Sequence, residues 1–505
     1  MLKRALLIST ADRYVTLLSS FFVTAVVSRI ITPEEIGVSV VAMGFVGFAI
    51  AVREFASPNF LYPRQELSRD EVRAMFTLML TLTLLISATL ACTAPMLAAI
   101  YNEDGLIFYL RVISAALLIE LLAAPIVLLL RRDMAFGRVA LINVTTAVSA
   151  TAVTVVLALS GYSYMSFALG WLASAILTSL MALFLSPQFW IFQPFFRNWR
   201  GMLVFGGYNG ATNLFYKMYE ALPYLVLGRV LSFDTAAIYS RSLMICQLPD
   251  KVFLAGAMSV ALPAFARETR QGRHIKEPYL NALSLVTALQ WPALLVLAVL
   301  AHPIVEILLG HQWHAVAPIV RIMAIAALFS FSFELNYPVL VSVGAMRDIF
   351  LRALLVWPIS SALMVLAAFH SLRAAALSLL LAIPFQAFVS LQFVRRRIDI
   401  RWSEISASVW RSASVAAITV AGPLSVVAIV DSGFDMSIAE ALIGAMLAAV
   451  GWYFGLWLTR HPMLDEILAI YKSLRERLTK GHPSDDGGEL SAFRSGAPQQ
   501  ATDPS

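Results

Sequence analysis

Two long apolar stretches near the middle of the chain, 203–228 and 234–264, contain charged side chains. A charge at the depth of a membrane costs about 3 kcal/mol or more, so it is rare and usually faces a water-filled path. Cations along such a path suit an anionic ligand such as a pyrophosphate. The charged residues in the two stretches are Lys217, Glu220, Arg241, Asp250 and Lys251.

The first of these stretches carries its polar residues on one side of a predicted helix. They are spaced three and four residues apart, which places them on one helical face. A polar stripe on a helix of membrane length predicts the lining of a hydrated cavity. The stripe consists of Asn209, Asn213, Tyr216, Lys217 and Glu220.

Charges also occur in the earlier apolar stretches. Asp12 and Arg13 lie in the first of them, and Arg53 and Glu54 end the second. If these stretches line the same cleft as the central ones, the cleft is positive and suits an anionic substrate. Its predicted cations are Arg13, Arg53, Lys217, Arg241 and Lys251, with Asp12 as a further polar residue.

Most of these charges also have a simpler interpretation. Arg53–Glu54 and Asp250–Lys251 are equally well explained as structural ion pairs between helices. Arg13 and Arg53 lie near the predicted helix ends, where long side chains can reach the membrane interface. These alternatives stay open on the sequence alone.

Protonatable groups inside the membrane are candidates for coupling transport to an ion. Glu120, Glu334 and Asp250 are the candidates in this chain. Lys217 lies near the middle of its stretch and cannot easily reach the interface. A role in substrate binding or coupling is therefore favoured for it.

Motifs of catalysis are missing from the sequence, which has no P-loop, no G-x-S-x-G and no His or Cys cluster at metal-binding spacing. We expect a protein that is not an enzyme and has no cofactor or metal. Cys92 and Cys246 fall in apolar stretches and form no disulfide framework. The net charge of +6 is distributed as membrane topology requires and does not indicate nucleic-acid binding.

The composition defines the class of protein. Hydrophobic residues make up 59% of the chain and charged residues 13%, against about 25% charged in soluble domains. An all-α polytopic membrane protein is predicted. Since a span needs about 20 apolar residues, fourteen transmembrane helices are predicted, at 9–31, 36–56, 74–100, 107–130, 139–160, 163–185, 203–228, 234–264, 280–308, 316–343, 349–369, 374–394, 408–430 and 437–459.

Basic residues concentrate in alternate loops. The opposite loops, such as 32–35 and 101–105, have almost none, with Arg373 as the exception. The positive-inside rule therefore predicts that both termini are cytoplasmic, and an even number of spans agrees with that. The basic loop residues are Arg64, Arg69, Arg73, Arg131, Arg132, Arg138, Arg197, Arg200, Arg267, Arg270, Arg273, Lys276, Arg347, Arg395, Arg396, Arg397 and Arg401.

An internal repeat organises the spans. SRIITPEEIGVSV at 28–40 aligns with GRVLSFDTAAIYS at 228–240, and six spans separate the copies. Both copies then have the same orientation, which predicts two six-helix lobes related by a pseudo-two-fold axis along the membrane normal. Such lobes with a central cleft are typical of an alternating-access transporter. The predicted units are lobe one at 1–200, lobe two at 201–400, two extra spans at 401–460, and a cytoplasmic tail at 461–505 with an amphipathic helix before a disordered end.

Four stretches carry a resemblance to a known family: SRIITPEEIG with LVLGRVL, VFGGYNGATN, VALPAFAR, and residues 291–323. In the last, Gly310, Trp313, Pro318 and Arg321 stand at the family's spacing. The chain resembles the Wzx-type polysaccharide exporters of the oligosaccharidyl-lipid flippase group, in particular the fourteen-span exopolysaccharide branch.

The resemblance implies a multi-pass protein of the bacterial inner membrane that flips a polyprenyl-pyrophosphate-linked repeat unit from the cytoplasmic to the periplasmic leaflet. It implies the fold of multidrug/toxin extruders and of the peptidoglycan-precursor flippase, with a cationic cavity for the pyrophosphate. The implied partners are the lipid-linked oligosaccharide, membrane lipids, and a polysaccharide polymerase and chain-length regulator. Phe233 stands where the first copy of the repeat has Pro33, so the repeat is imperfect there.

Other functions remain as alternatives. A multidrug or cation antiporter on the same fold would favour a cavity dominated by carboxylates, whereas the predicted cavity is mixed to positive. A membrane glycan polymerase or ligase would usually need a larger external domain than these short outer loops provide. Buried charges argue against a scaffold that transports nothing.

Overall fold

The computed structural model describes residues 2–53, 55, 68–195, 199–254, 265, 267–271, 273–430 and 433–479, and contains no strand among them. It describes only the backbone of 2–10, 199–209, 211–212, 253–254, 334, 470–471 and 473–479. The α-helices are α1 (Leu2–Ile30), α2 (Pro33–Arg53), α3 (Arg69–Tyr101), α4 (Gly105–Glu120), α5 (Ala124–Arg132), α6 (Phe136–Leu159), α7 (Met165–Leu185), α8 (Trp199–Val230), α9 (Phe233–Cys246), α10 (Lys276–Val299), α11 (Ala301–Leu309), α12 (Val316–Ala327), α13 (Phe333–Ser342), α14 (Met346–Ala368), α15 (Leu372–Ile398), α16 (Trp402–Ile429), α17 (Ile438–Leu458) and α18 (Pro462–Thr479).

Local sequence signals define several helix ends. At the start of α3, the Ser68 hydroxyl accepts the Glu71 amide and the Glu71 carboxylate accepts the Ser68 amide. The same capping box, Ser437 with Glu440, begins α17. Both use the Ser-x-x-Glu spacing, which satisfies amides that have no partner inside the helix.

Twelve helical segments in the described part of the chain are long and apolar enough to cross a membrane. The prediction of an all-α polytopic protein is therefore confirmed, but the count of fourteen spans is not. The span predicted at 203–228 lies in α8, a helix of 32 residues whose polar stripe lowers its hydropathy. The span predicted at 234–264 begins as α9 and a π-helical turn (Asp250–Leu254), and residues 255–264 lie outside the described residues.

The helix break in the first copy of the repeat recurs in the second. α1 ends at Ile30 and α2 begins at Pro33, while α8 ends at Val230 and α9 begins at Phe233. The two breaks lie at aligned positions of the sequence repeat. We call this end of the helices the outer end, because the topology prediction puts it outside the cell, and the opposite end the basic end.

Close contacts between helices hold the predicted lobes together near the outer end, where α2 packs against α8 and α9. The backbone of Gly37 lies directly on the Phe233 carbonyl, so that a Cβ atom there would fall 1.9 Å from the Phe233 oxygen. A Cβ at Gly228 would fall 2.4 Å from a methyl group of Val41. Small residues therefore allow the helix backbones to approach.

A hydrophobic core at the outer end contains residues of both predicted lobes. Val27 and Ile36 of lobe one belong to it together with Leu227, Ala237 and Trp313 of lobe two. Within a membrane, helices associate through close van der Waals packing, because lipid tails are as apolar as these side chains. The outer ends are thus joined by the same kind of packing that forms a domain interior.

At the basic end the cores are separate. One contains Val72 and Leu121 of lobe one, and another contains Tyr279 and Leu335 of lobe two. Toward the basic end, the Phe55 ring of lobe one contacts Gly210 of lobe two. In the described part of the chain, the two lobes therefore pack tightly against each other at the outer end and more loosely at the basic end.

The last two spans form a hairpin, α16–α17, that packs on α10 of lobe two. Gly444, Gly451 and Gly455 of α17 lie against α16, where a Cβ atom would meet its residues at 3.0–3.5 Å. The Trp452 indole donates a hydrogen bond to the Ala288 carbonyl, 2.9 Å away. The hairpin is thus fastened to lobe two by close packing and a side-chain hydrogen bond.

The hairpin, α10 and α18 meet at a buried imidazole. His461 is 1% exposed, its Nε2 lies 3.1 Å from the hydroxyls of Ser284 and Ser412, and its Nδ1 accepts the Met463 amide. Because Nδ1 accepts, the neutral ring carries its proton on Nε2 and can donate to a serine. Burial lowers the pKa of His461 to about 4, and the charge of Arg411 adds to the effect.

Gly37→Ala is predicted to destabilise the protein by about 1–3 kcal/mol, because the new methyl group collides with the backbone of α9. Gly47→Ala is the matched control, since nothing lies within 4 Å of a Cβ atom there. Thermal unfolding of both purified variants measures the difference. Equal Tm values for the two variants would contradict the packing described.

Acid is predicted to weaken the fold through His461. Between pH 6.5 and about 4 the unfolded chain binds a proton on this ring and the folded protein does not, so stability falls as pH is lowered through this window. At pH 5 the loss is about 2 kcal/mol. His461→Gln cannot titrate, so its Tm should fall less than that of the wild type between pH 7.5 and pH 5. Parallel losses would exclude His461 as the cause.

Candidate functional site

A cavity of about 510 Å³ lies between the two predicted lobes. Residues of α2, α4 and α7 form its wall on lobe one, and residues of α8 and α9 form the wall on lobe two. The structure thus brings three predicted site residues together, one pair from the stripe on α8 and one cation from α9. The polar residues that line the cavity are Ser39, Tyr109, Trp171, Lys217, Glu220, Tyr224, Ser240 and Arg241.

Lys217 and Glu220 form an ion pair inside this cavity. The Lys217 ammonium lies 2.6 Å from a Glu220 carboxylate oxygen, and both side chains are about two-fifths exposed. Lys217 also lies over the Tyr216 ring, which in turn contacts Trp357. The two charges largely cancel, so an anion in the cavity would have to compete with Glu220 for Lys217.

Arg241 is the buried cation of the cavity. Its side chain is 9% exposed, its Nε atom has no hydrogen-bond partner, and no salt bridge to it is found among the described residues. The guanidinium lies over the indole of Trp313, 5.8 Å from the ring centroid. A buried arginine usually has an acidic partner. Arg241 therefore offers an anion an unused donor and an uncompensated charge.

Arg53 and Glu120 form a second pair, on lobe one. The Arg53 guanidinium lies 3.7 Å from one Glu120 oxygen, and the Trp171 indole donates to the other oxygen over 3.1 Å. Trp171 also lines the cavity, which connects the pair to it. The predicted alternative partner, Glu54, lies outside the described residues.

Asp12 and Arg13 lie in a different place. They line a cavity of about 540 Å³ formed by α1, α6 and α7, all of lobe one. The Asn143 amide donates to Asp12 over 2.8 Å, while the second oxygen of this carboxylate is buried without a partner. The structure does not bring these two residues into the cavity of Lys217 and Arg241.

The remaining predicted residues are dispersed. Asp250 accepts a 2.7 Å hydrogen bond from Gln290, and Lys251 is exposed on the π-helical turn. Asn213 is half-buried on α8. The side chains of Asn209 and Glu334 lie outside the described residues. Asp250, Lys251 and Asn213 are not among the described residues that line the cavity between the lobes.

Two tryptophans contact charged residues of the site, although neither was predicted from the sequence as a site residue. Trp171 donates to Glu120, and Trp313 lies under Arg241. Trp313 has a sequence signal, its place in the stretch 291–323, whereas Trp171 is one aromatic residue in an apolar span. For both tryptophans, the sequence alone could not predict contacts with residues of other helices.

Solved structures with the same fold are found at low sequence identity. The chain is similar to the lipid II flippase MurJ in an inward closed conformation, with a TM-score of 0.73 and 11% identity over 91% of this chain and 100% of that one. It is also similar to a multidrug resistance MATE family transporter in an inward-facing conformation, with a TM-score of 0.60 and 13% identity over 76% and 94% of the two chains. The fold class is that of these membrane transporters.

The sequence profile of the polysaccharide biosynthesis protein family matches residues 26–318. The chain belongs to this family, and the predicted resemblance to Wzx-type exporters is confirmed.

Curated relatives include the lipopolysaccharide biosynthesis protein WzxC of Escherichia coli, 21% identical over 60% of this chain. The succinoglycan biosynthesis transport protein ExoT of Rhizobium meliloti is 24% identical over 61% of this chain. The matched region spans 62% of the length of each of these two relatives.

Replacing either partner of the Arg53–Glu120 pair is predicted to lower stability more than replacing both, because a single replacement leaves one charge uncompensated. For a pair with this separation and partial exposure we expect a coupling of up to about 1 kcal/mol. Thermal unfolding of Arg53→Gln, Glu120→Gln and the double variant measures it. The cycle of Arg53→Gln with Glu54→Gln is the control, and coupling there instead would contradict the pairing with Glu120.

Proposed function

We propose that the protein flips a polyprenyl-pyrophosphate-linked polysaccharide repeat unit between membrane leaflets by alternating access. The observation that carries this proposal is Arg241, a buried guanidinium without an acidic partner that lines a cavity between the lobes. An anionic head group supplies the missing charge and accepts hydrogen bonds from the free donor.

The packing of the lobes supports the direction of entry. The shared core closes the outer end, and the separate cores leave the basic end less tightly joined. If the basic end is cytoplasmic, as the arginine distribution predicts, the cavity is offered to the leaflet on which lipid-linked precursors are assembled. The polar head would then avoid the cost of crossing hydrocarbon, while the prenyl chain stays in lipid.

The relatives support the substrate class. ExoT is named as a succinoglycan transport protein, and MurJ is a flippase for lipid II. We propose the corresponding role for this chain, in a bacterial inner membrane with both termini cytoplasmic, with two lobes at 1–200 and 201–400, and without covalent chemistry. A polysaccharide polymerase and a chain-length regulator are the proposed protein partners.

The charges of the cavity distinguish this function from a multidrug or cation antiporter. The described charged groups that line it are Lys217, Glu220 and Arg241, and the first two form a pair. The remaining charge is positive, which repels a cationic drug and attracts a pyrophosphate. Glu120 and Asp250 remain proposed sites of ion coupling, as does Glu334, whose side chain lies outside the described residues.

Arg241→Gln is predicted to lower export strongly while keeping the fold. A deletion strain complemented with this variant should secrete at least about tenfold less polysaccharide, because a charge-assisted hydrogen bond is lost. The lipid-linked repeat unit should accumulate on the cytoplasmic leaflet. Secreted polymer, extracted lipid-linked repeat unit and protein in the membrane fraction are measured together.

Arg373→Gln is the matched control, since Arg373 is exposed at the outer end, away from the cavity. It should restore export fully. Normal polymer and an unchanged lipid pool in the uncomplemented deletion strain would refute the flippase function, provided that no second flippase substitutes.

A further inference from the structure

The turn between α11 and α12, residues 310–313, lies against the end of α1. We call it the outer turn. Gly310 begins it with a φ of +95°, a conformation that residues with a Cβ atom rarely adopt. The Gln312 side-chain amide donates to the carbonyls of Ser28 and Ile31, the latter over 3.1 Å. The Trp313 indole donates to the Ser28 carbonyl over 2.7 Å.

These acceptors belong to a helix end that needs partners. The last carbonyls of an α-helix have no amide within the helix to bond to. The outer turn of lobe two supplies donors to the end of the first helix of lobe one. It thus caps a helix of the other lobe.

A further hydrogen bond joins the same elements. The Arg29 guanidinium donates to the Ile307 carbonyl of α11 over 2.6 Å. The stem of Arg29 lies over the outer turn, where a Cβ atom at Gly310 would be 3.3 Å from Arg29 Cγ. We call these hydrogen bonds, from Arg29, Gln312 and Trp313 to main-chain carbonyls, the outer seam.

Trp313 connects the outer seam to the cavity. Its side chain is fully buried, its N–H bonds the α1 carbonyl, and its ring face lies under the Arg241 guanidinium. Arg241 in turn lines the cavity between the lobes. One indole therefore contacts the cavity cation and also forms part of the outer seam.

We propose that Trp313 couples the binding of an anionic head group at Arg241 to the opening of the outer seam, a proposal that rests on the proposed function. A cation over an indole is attracted to the ring and polarises it, which strengthens the N–H as a donor. Without a bound anion, Arg241 therefore supports the hydrogen bond from Trp313 to Ser28.

An anion in the cavity reverses this support. A pyrophosphate forms charge-assisted hydrogen bonds with the guanidinium, whose Nε has no other partner, and draws it off the ring. The indole N–H becomes a weaker donor, and the outer seam loosens. Because a ligand shifts an equilibrium only by interacting differently with the two states, the exchange of Trp313 for pyrophosphate at Arg241 supplies the required difference.

Distances across the outer seam test the coupling. Spin labels are attached at Glu34→Cys and His314→Cys, both exposed outer-end positions, in full-length protein with Cys92→Ser and Cys246→Ala. Pulsed electron paramagnetic resonance records the distance distribution in lipid nanodiscs. Farnesyl pyrophosphate is the probe and farnesol is its uncharged control. In the wild type the pyrophosphate should raise the population with the longer distance at least about threefold, and farnesol should not.

Trp313→Phe separates the two contacts of the indole, since it keeps a ring face under Arg241 and removes the N–H. This variant should show the longer distance without ligand, bind farnesyl pyrophosphate like the wild type, and lose the ligand response. Trp291→Phe is the matched control. It removes a 2.7 Å indole–carbonyl hydrogen bond within lobe two and should keep the full response.

Binding is measured in parallel by calorimetric titration, which separates this proposal from the proposed function. Binding of farnesyl pyrophosphate without a change in distance overturns the coupling and leaves the flippase function intact. A response that persists in Trp313→Phe overturns the role of Trp313. If farnesyl pyrophosphate does not bind the wild type and the amount of lipid-linked repeat unit is unchanged in the deletion strain, both the coupling and the flippase function are refuted.

Discussion

A charge within the hydrocarbon layer must be balanced, hydrated or screened, and this requirement governs the centre of the molecule. Arg53 and Lys217 meet it with the carboxylates of Glu120 and Glu220. Arg241 meets it with the face of an indole, a weaker partner than a carboxylate. Among the described residues that line the cavity, Arg241 is therefore the cation whose electrostatic demand is only partly met, and the proposed preference for an anion rests on that deficit.

The packing between the lobes differs between the two ends of the cavity. Close helix contacts and a shared core lie on the outer side of the cavity, and two independent cores lie on the basic side. A transporter that works by alternating access needs contacts strong enough to close one end and few enough to be exchanged for others. At the outer end, hydrogen bonds to main-chain carbonyls, each with a modest net free energy, add to the apolar core, and they can be exchanged one at a time.

Composition and periodicity predicted the helical membrane fold, and the sequence repeat predicted where the breaks at Pro33 and Phe233 fall. The stripe on α8 correctly indicated that Lys217 and Glu220 share a face. The same polar residues interrupt the apolar run of α8, and this helix is not among the twelve described segments that are long and apolar enough to cross a membrane. The partner of Arg53 could not be predicted, because Glu120 is brought to it by the packing of separate helices.

All hydrogen-bond acceptors of the outer seam are of one kind. Arg29, Gln312 and Trp313 donate from side chains, whereas every acceptor is a peptide carbonyl. A carbonyl is present whatever residue occupies the position, so these hydrogen bonds do not themselves require a particular side chain at Ser28 or Ile31, although both side chains are buried. Two halves of a duplicated chain can thus diverge in sequence without losing their mutual recognition, with the evolutionary constraint falling on a few donor side chains.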